Sequence, residues 1–228
     1  MLQTEAYILW QEPIGEADRR YILLTKEAGK IEAWARGVRR IQAKLAGHLE
    51  PPNLSWVSII ESNRGWQIAQ ALERTSFPNI RNDAGSLKAV FKAAQFVRDF
   101  MPESSRDSDI VFFWEDFLRK LETEKPNPAW FLAQFILKGL VAFGFFPSLD
   151  SCSECGRKFG REKIYLKDLQ FVCENCAGEG KRDFEIHPKT RDVIRVILGD
   201  VSLPTSDQQE SIKHLSNTFV EKARRFML

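Results

Sequence analysis

The sequence predicts an α+β fold in which a small N-terminal β-barrel is followed by a helical domain that carries a four-cysteine metal module. Over roughly the first eighty positions, apolar residues are dense or alternate with polar ones, which is typical of strands. Beyond position 83 they recur every three or four residues, which is typical of amphipathic helices. All four cysteines lie within 25 consecutive residues. We therefore expect a barrel domain over residues 1–80, a helical domain over residues 81–228, and the metal module at 150–180.

The barrel domain contains five strand-like runs separated by turn residues such as Gly15 and Asn63-Arg64-Gly65. In the third run, Ile31, Ala33 and Ala35 alternate with polar or aromatic residues and should face inward. That alternation leaves Trp34 and Arg36 on the outward face of the same strand. Five strands in about seventy residues suit a small closed barrel of the oligonucleotide/oligosaccharide-binding (OB) type. The runs cover residues 6–10, 21–25, 31–36, 54–60 and 66–71.

The helical domain begins where Asp83 can cap a first helix that ends before Pro102. A second helix follows near Ile110. The apolar run 129–146 is long enough to raise the question of a membrane span, but it contains Lys138, so we expect a buried helix instead. Two amphipathic helices close the chain; the first begins around Pro188 and the second at a capping box, Ser206 to Gln209. The apolar face of the first helix comprises Leu87, Val90, Phe91, Ala94 and Val97.

The cysteines form two C-x-x-C pairs, Cys152/Cys155 and Cys173/Cys176, with seventeen residues between the pairs. This spacing is typical of a four-thiolate zinc site, and Gly156 permits the tight turn that aims backbone amides at sulfur. Four thiolates complete a tetrahedron and leave no position for water, so Zn²⁺ here would be structural rather than catalytic. The alternatives are two disulfides, or four unrelated thiols in a reducing compartment.

A candidate nucleic-acid contact follows the third strand. From position 33 to position 49 the sequence has no acidic residue, although the whole chain has a net charge of only +2. We call residues 36–49 the basic segment. Guanidinium groups beside an outward Trp34 would combine neutralisation of phosphate charge with a surface for base stacking. The alternative is a solvated loop in which Trp34 covers a domain junction; Arg64, Arg74 and Arg81 could widen the positive face. The candidate DNA-binding residues are Trp34, Arg36, Arg39, Arg40 and Lys44.

The sequence offers little that indicates catalysis. It lacks the phosphate-binding pattern G-x-x-x-x-G-K-[ST], the dinucleotide pattern G-x-G-x-x-G and the metalloprotease pattern H-E-x-x-H. Its three histidines are scattered at positions 48, 187 and 214. The N-terminus carries Glu5 and Glu12 instead of a basic region, which argues against a secretory signal. We expect a soluble, intracellular protein that is not an enzyme.

The order of these features resembles the RecO family of bacterial recombination mediators. The resemblance rests on the run Ala35-Arg36-Gly37-Val38-Arg39-Arg40 followed by Leu49-Glu50-Pro51. It continues through Leu137-Lys138-Gly139 and Phe146-Pro147-Ser148-Leu149 into the first cysteine pair, and it covers essentially the full chain. Ile41-Gln42-Ala43 departs from the pattern, because the family often has further basic residues and Ser there.

The resemblance implies a DNA repair protein that binds single- and double-stranded DNA and anneals complementary strands. It also implies contacts with the partner RecR and with the C-terminal tail of the single-strand-binding protein, and help in loading the recombinase RecA. A cytoplasmic, nucleoid-associated location in bacteria, away from membranes, follows from the same resemblance. The alternative function is a zinc-containing adaptor that binds only proteins, with the basic segment engaging an acidic partner tail.

Overall fold

The computed structural model describes residues 1–63, 65–102, 108–124, 127–178, 184–199 and 206–227, without the side chains of residues 108, 206–208 and 222–227. The chain divides into two compact units, Met1–Pro128 and Ala129–Leu228. Arg64 of the predicted turn lies outside the described residues, and so do the capping-box side chains of residues 206–208. Each compact unit has its own sheet.

The first unit contains a closed five-stranded barrel with the strand order β1-β2-β3-β5-β4. Neighbouring strands are antiparallel except β3 and β5, which pair in parallel with Ala33 opposite Trp66. All five predicted strands are present, so the prediction of an OB-type barrel is confirmed. The strands are β1 (Leu2–Ile14), β2 (Asp18–Thr25), β3 (Gly29–Ala35), β4 (Leu54–Ser62) and β5 (Gly65–Thr75).

Side-chain alternation explains why these segments form a barrel. Along β3 every second residue is buried, and Ile31, Ala33 and Ala35 enter the barrel core as predicted. The basic segment adds to the same core after β3 ends, because Val38 and Leu49 are 2% and 0% exposed. Its last turn is a short 3₁₀ helix, Ala46–Leu49. The basic segment is therefore attached to the barrel core near both of its ends.

Three helices complete the first unit: α1 (Pro78–Asn82), α2 (Ala84–Phe100) and α3 (Ser108–Thr123). The carboxylate of Asp83 accepts a hydrogen bond from the backbone N–H of Ser86 at 2.6 Å, which confirms the predicted cap of α2. Phe91 of the predicted apolar face is 37% exposed, and its ring makes an edge-to-face contact with Trp10 of β1.

The chain divides into its two compact units between residues 128 and 129, and the predicted domain boundary between residues 80 and 81 stays a prediction. Helices α1 to α3 fall in the same compact unit as the barrel, and polar contacts connect α2 and α3 to it. Lys30 of β3 donates to the backbone oxygen of Arg98 in α2 at 2.7 Å, and Lys26 pairs with Glu115 of α3 at 2.9 Å. Periodicity alone separates strands from helices, and it does not show which helices pack on the strands.

The second unit begins with α4 (Pro128–Ala142), whose buried residues extend around most of the helix, including Phe131, Phe135 and Leu140. No helix within the described ranges is both long and apolar enough to cross a membrane. The cysteine module follows, and it contains a hairpin of β6 (Ile164–Lys167) and β7 (Gln170–Val172). The remaining elements are α5 (Glu174–Ala177), β8 (Phe184–Ile186), which pairs with β6, then α6 (Pro188–Gly199) and α7 (Ser206–Met227).

Candidate nucleic-acid interface and metal centre

The basic segment starts with a turn that is fixed to the hairpin between β1 and β2. Gly37 has a φ of +65°, a backbone conformation that favours glycine. Its N–H donates to the Asp18 carboxylate at 2.8 Å, and the N–H of Arg39 donates to the backbone oxygen of Ala17 at 2.9 Å. The Asp18 carboxylate thus bonds to the backbone of the turn and not to an arginine head group.

The four cations of the basic segment, Arg36, Arg39, Arg40 and Lys44, are all exposed. The Arg39 guanidinium donates to the backbone oxygen of Gly15 at 2.8 Å, which holds this side chain against the barrel. In the part of the chain that the structure describes, none of the four forms an ion pair. Their charges therefore remain available to an external anion.

Trp34 is half-buried on β3, where it lies opposite Arg20 of β2 and Gln67 of β5. Arg20 is not a free cation, because it forms ion pairs with Glu12 and Glu32, the second at 3.0 Å. This pairing makes the outer face of β2 and β3 electrically mixed. Positive charge is concentrated instead at the end of β3 where the basic segment begins.

One part of the prediction for this strand is wrong. Arg36 does not share the outward face of β3 with Trp34, because β3 ends at Ala35 and Arg36 lies in the turn that follows. The left-handed Gly37 and its hydrogen bond to Asp18 end the strand one residue early. Trp34 and Arg36 are nevertheless only two residues apart at the start of the basic segment.

The other arginines that could widen the positive face have different positions. Arg74 of β5 is exposed, whereas Arg64 lies outside the described residues. Arg81 donates to the Asn53 side chain at 2.8 Å, so its head group connects α1 to the chain before β4. The sequence did not indicate Trp66 as a second exposed aromatic residue near Trp34. Trp66 is 39% exposed on β5, and it pairs with Ala33, the residue before Trp34. Its place next to β3 comes from the parallel pairing of β3 and β5, which the sequence does not reveal.

The metal candidate lies in the second unit, where Cys152, Cys155, Cys173 and Cys176 meet. Their sulfur atoms all lie within 4.8 Å of one another, and the sulfurs of Cys155 and Cys173 are 3.9 Å apart. A tetrahedral zinc with bonds of about 2.3 Å places its sulfurs about 3.8 Å apart. His187 is not part of the cluster. The four predicted ligands are therefore brought together at a separation that fits a four-coordinate metal ion.

Both cysteine pairs sit in compact turns that direct backbone groups towards the cluster. Gly156 has a φ of +71°, and its N–H donates to the backbone oxygen of Cys152 at 2.9 Å, which closes the first turn. The N–H of Cys173 donates to the sulfur of Cys152 at 3.4 Å. Tyr165 and Val172 of the hairpin pack against the buried cysteines. The hairpin thus brings the second pair back to the first, as the spacing predicted.

The acid–base behaviour of the thiols is consistent with a cation site. Burial raises the pKa of the Cys152 thiol, but three backbone N–H groups outweigh burial and lower the pKa to about 6. Hydrogen bonds with the thiols of Cys173 and Cys155 raise the pKa of Cys176 to about 12, assisted by burial and by the negative charge of Cys152. The Cys152 thiolate therefore opposes ionisation of Cys176, and a divalent cation at the centre would remove that opposition.

Comparison with known proteins identifies the family. A model described as the N-terminal part of recombination protein O matches residues 1–71, and a model described as the C-terminal part matches residues 81–221. The chain belongs to the RecO family. The DNA repair protein RecO of Myxococcus xanthus is 32% identical over 222 residues, which cover 95% of this chain and 89% of that protein. The RecO protein of Thermoanaerobacter sp. is 25% identical over 198 residues, covering 87% of this chain and 80% of the relative.

Membership in the RecO family confirms the resemblance drawn from the arginine-rich run and the cysteine pairs. The RecO protein of Dehalococcoides mccartyi is a further relative, 30% identical over 176 residues that cover 76% of this chain and 69% of the relative. The curated members carry the name DNA repair protein, which places the barrel, the basic segment and the cysteine cluster in a family of repair proteins. The role of each site residue remains a proposal.

Proposed function

We propose that this RecO-family protein is a non-enzymatic DNA repair and recombination mediator that binds single- and double-stranded DNA through the basic segment and Trp34. The observation that carries this proposal is a set of four exposed cations on an OB-like barrel, held in a segment without acidic residues. A phosphate backbone that crosses the end of β3 would meet these cations in succession. An unstacked base would rest on the indole ring of Trp34.

Electrostatics favours the end of β3 over the rest of the barrel surface. The Asp18 carboxylate at the turn accepts from the N–H of Gly37. On the outer face of β2 and β3, in contrast, Glu12 and Glu32 neutralise Arg20 and would repel a phosphate. The proposed path therefore follows residues 34–44 and avoids the outer face of β2.

The further steps of the proposed function follow from the family. Bound strands would be annealed, and the protein, together with RecR, would help to load RecA onto DNA that is coated by the single-strand-binding protein. A location in the bacterial cytoplasm, at the nucleoid, is part of the proposal. The cysteine cluster would hold one structural Zn²⁺ with Cys152, Cys155, Cys173 and Cys176 as ligands, because four thiolates leave no open coordination position.

A cleft of about 470 Å³ in the second unit is the proposed docking site for the acidic, hydrophobic tail of the single-strand-binding protein. Val141 and Leu198 supply apolar walls, and Arg195 supplies a cation that pairs with Asp150 at 2.8 Å. A carboxylate of the tail would replace Asp150 at the Arg195 head group. A tail peptide that fails to bind in calorimetry, under conditions where the protein binds DNA, would exclude this docking site.

Titration of labelled oligonucleotides by fluorescence anisotropy at two salt concentrations tests the DNA-binding proposal. We expect binding of both single- and double-stranded oligonucleotides that weakens as salt rises, together with faster annealing of complementary strands. Absence of binding at low salt, with retained binding of an acidic peptide, would favour the adaptor function instead.

A further inference from the structure

Lys167 occupies an unusual place in the cysteine module. It is the last residue of β6, and Tyr165, two positions earlier, packs against the cysteine cluster. Residues two apart on a strand share a face, so the side chain of Lys167 leaves β6 on the side of the cysteines. The hairpin turn at Asp168 and Leu169, both with positive φ, follows directly.

The Lys167 ammonium connects the two cysteine pairs. Its nitrogen donates to the carboxylate of Glu154, inside the first pair, at 2.7 Å. It also donates to the backbone oxygen of Cys176, the last ligand of the second pair, at 3.3 Å. The Lys167 side chain is 22% exposed, so water competes with these bonds less than at a fully exposed ion pair. The contact thus joins two chain segments that the metal ion also joins.

We propose that Lys167 is a positioning residue of the metal centre, which holds the two cysteine pairs together and offsets the negative charge of the four thiolates. Zn²⁺ with four thiolates carries a net charge of −2. The Lys167 ammonium donates to the backbone oxygen of the ligand Cys176, and a positive charge at this position stabilises the negative charge of the site. Residues that contact metal ligands without binding the metal contribute to metal affinity. This inference rests on the metal site proposed above and assigns Lys167 a role in retaining the ion.

The module offers a matched control in Lys163. It precedes β6 and pairs with Glu185 at 2.6 Å, and its side chain is 51% exposed. Among the described residues, the Lys163 head group has no hydrogen bond or ion pair with either cysteine pair, and its strongest electrostatic partner is Glu185, outside both pairs. Lys163→Met and Lys167→Met remove the same charge from the same hairpin, and Met preserves most of the length of each side chain.

The experiment compares zinc retention by the full-length, zinc-loaded protein and both variants during titration with a colorimetric chelator. We expect Lys167→Met to bind zinc about tenfold more weakly than the unaltered protein, as is usual when a residue that hydrogen-bonds to a metal ligand is lost. Lys163→Met should match the unaltered protein within twofold. The proposal is overturned if Lys167→Met retains zinc within twofold of the unaltered protein, or if Lys163→Met loses as much affinity.

A second measurement separates a role at the metal from a general effect on folding. A purely structural role would lower the melting temperature of Lys167→Met equally with excess zinc and with chelator. A role in metal retention instead gives a near-normal melting temperature in excess zinc and a deficit at limiting zinc. An unaltered protein that is isolated without zinc and binds none would contradict the metal site itself, which is a different outcome from equal retention by the variants.

Discussion

The basic segment gives the most direct test of DNA binding. Replacement of Arg39, Arg40 and Lys44 by Ala removes three exposed positive charges and leaves Arg36. Each phosphate contact with a single strand contributes about 0.7 to the slope of log affinity against log salt, so the triple variant should lose about two units of slope. With four contacts, a rise from about 50 to about 200 mM salt weakens binding about 50-fold, and with one contact only about threefold.

Anisotropy titration of a labelled single strand over this salt range measures the slope directly. The matched control replaces Lys88, Lys92 and Lys189 by Ala, because these exposed lysines lie on α2 and α6 and carry the same total charge. We expect the control variant to keep the original slope. The reasoning is refuted if the folded triple variant binds with unaltered affinity and slope, or if the control variant loses the same amount.

Three further predictions concern stacking, the metal and the core of the second unit. Trp34→Ala should weaken single-strand binding by about 1–3 kcal/mol without changing the salt slope, since stacking releases no counterions. In the same titration, Trp34→Phe should retain most of the affinity. A changed slope for Trp34→Ala would argue against stacking. Cys173→Ser should lower zinc content and melting temperature together, as metal analysis and calorimetry would show, and an unchanged zinc content would exclude Cys173 as a ligand. Phe219 is 0% exposed and packs against Phe146 and Phe171. Phe219→Ala should therefore lower the free energy of unfolding, measured by chemical denaturation, by about 3–5 kcal/mol, and Phe219→Leu should lower it less. An unaltered free energy of unfolding for the Ala variant would contradict the packing.

The strands and the cysteine cluster could be predicted from the sequence because both depend on local patterns. Alternation places Ile31, Ala33 and Ala35 in the barrel core, and the repeated C-x-x-C spacing brings four sulfurs together. The cap of α2 is equally local, since Asp83 accepts from an N–H only three residues away. In each case the partners are separated by few residues or by a spacing that a known geometry requires.

Contacts between distant residues could not be predicted. The hydrogen bond from Gly37 to Asp18 ends β3 early, yet the two residues are nineteen positions apart. The ion pairs that neutralise Arg20 require the register of three strands, and Lys167 meets Glu154 only after the hairpin forms. The packing of α1 to α3 in one compact unit with the barrel also depends on contacts between residues far apart in sequence.

The attachment of the basic segment to the barrel has a consequence for the strength of the proposed DNA contact. Val38 and Leu49 are buried in the core, so the chain between them loses much of its conformational entropy when the protein folds. A free loop with the same charges would lose that entropy on binding and would bind more weakly. In the proposed DNA contact, the cations of this segment would therefore meet the phosphate backbone as a preorganised array, whose advantage depends on two apolar side chains buried in the barrel core.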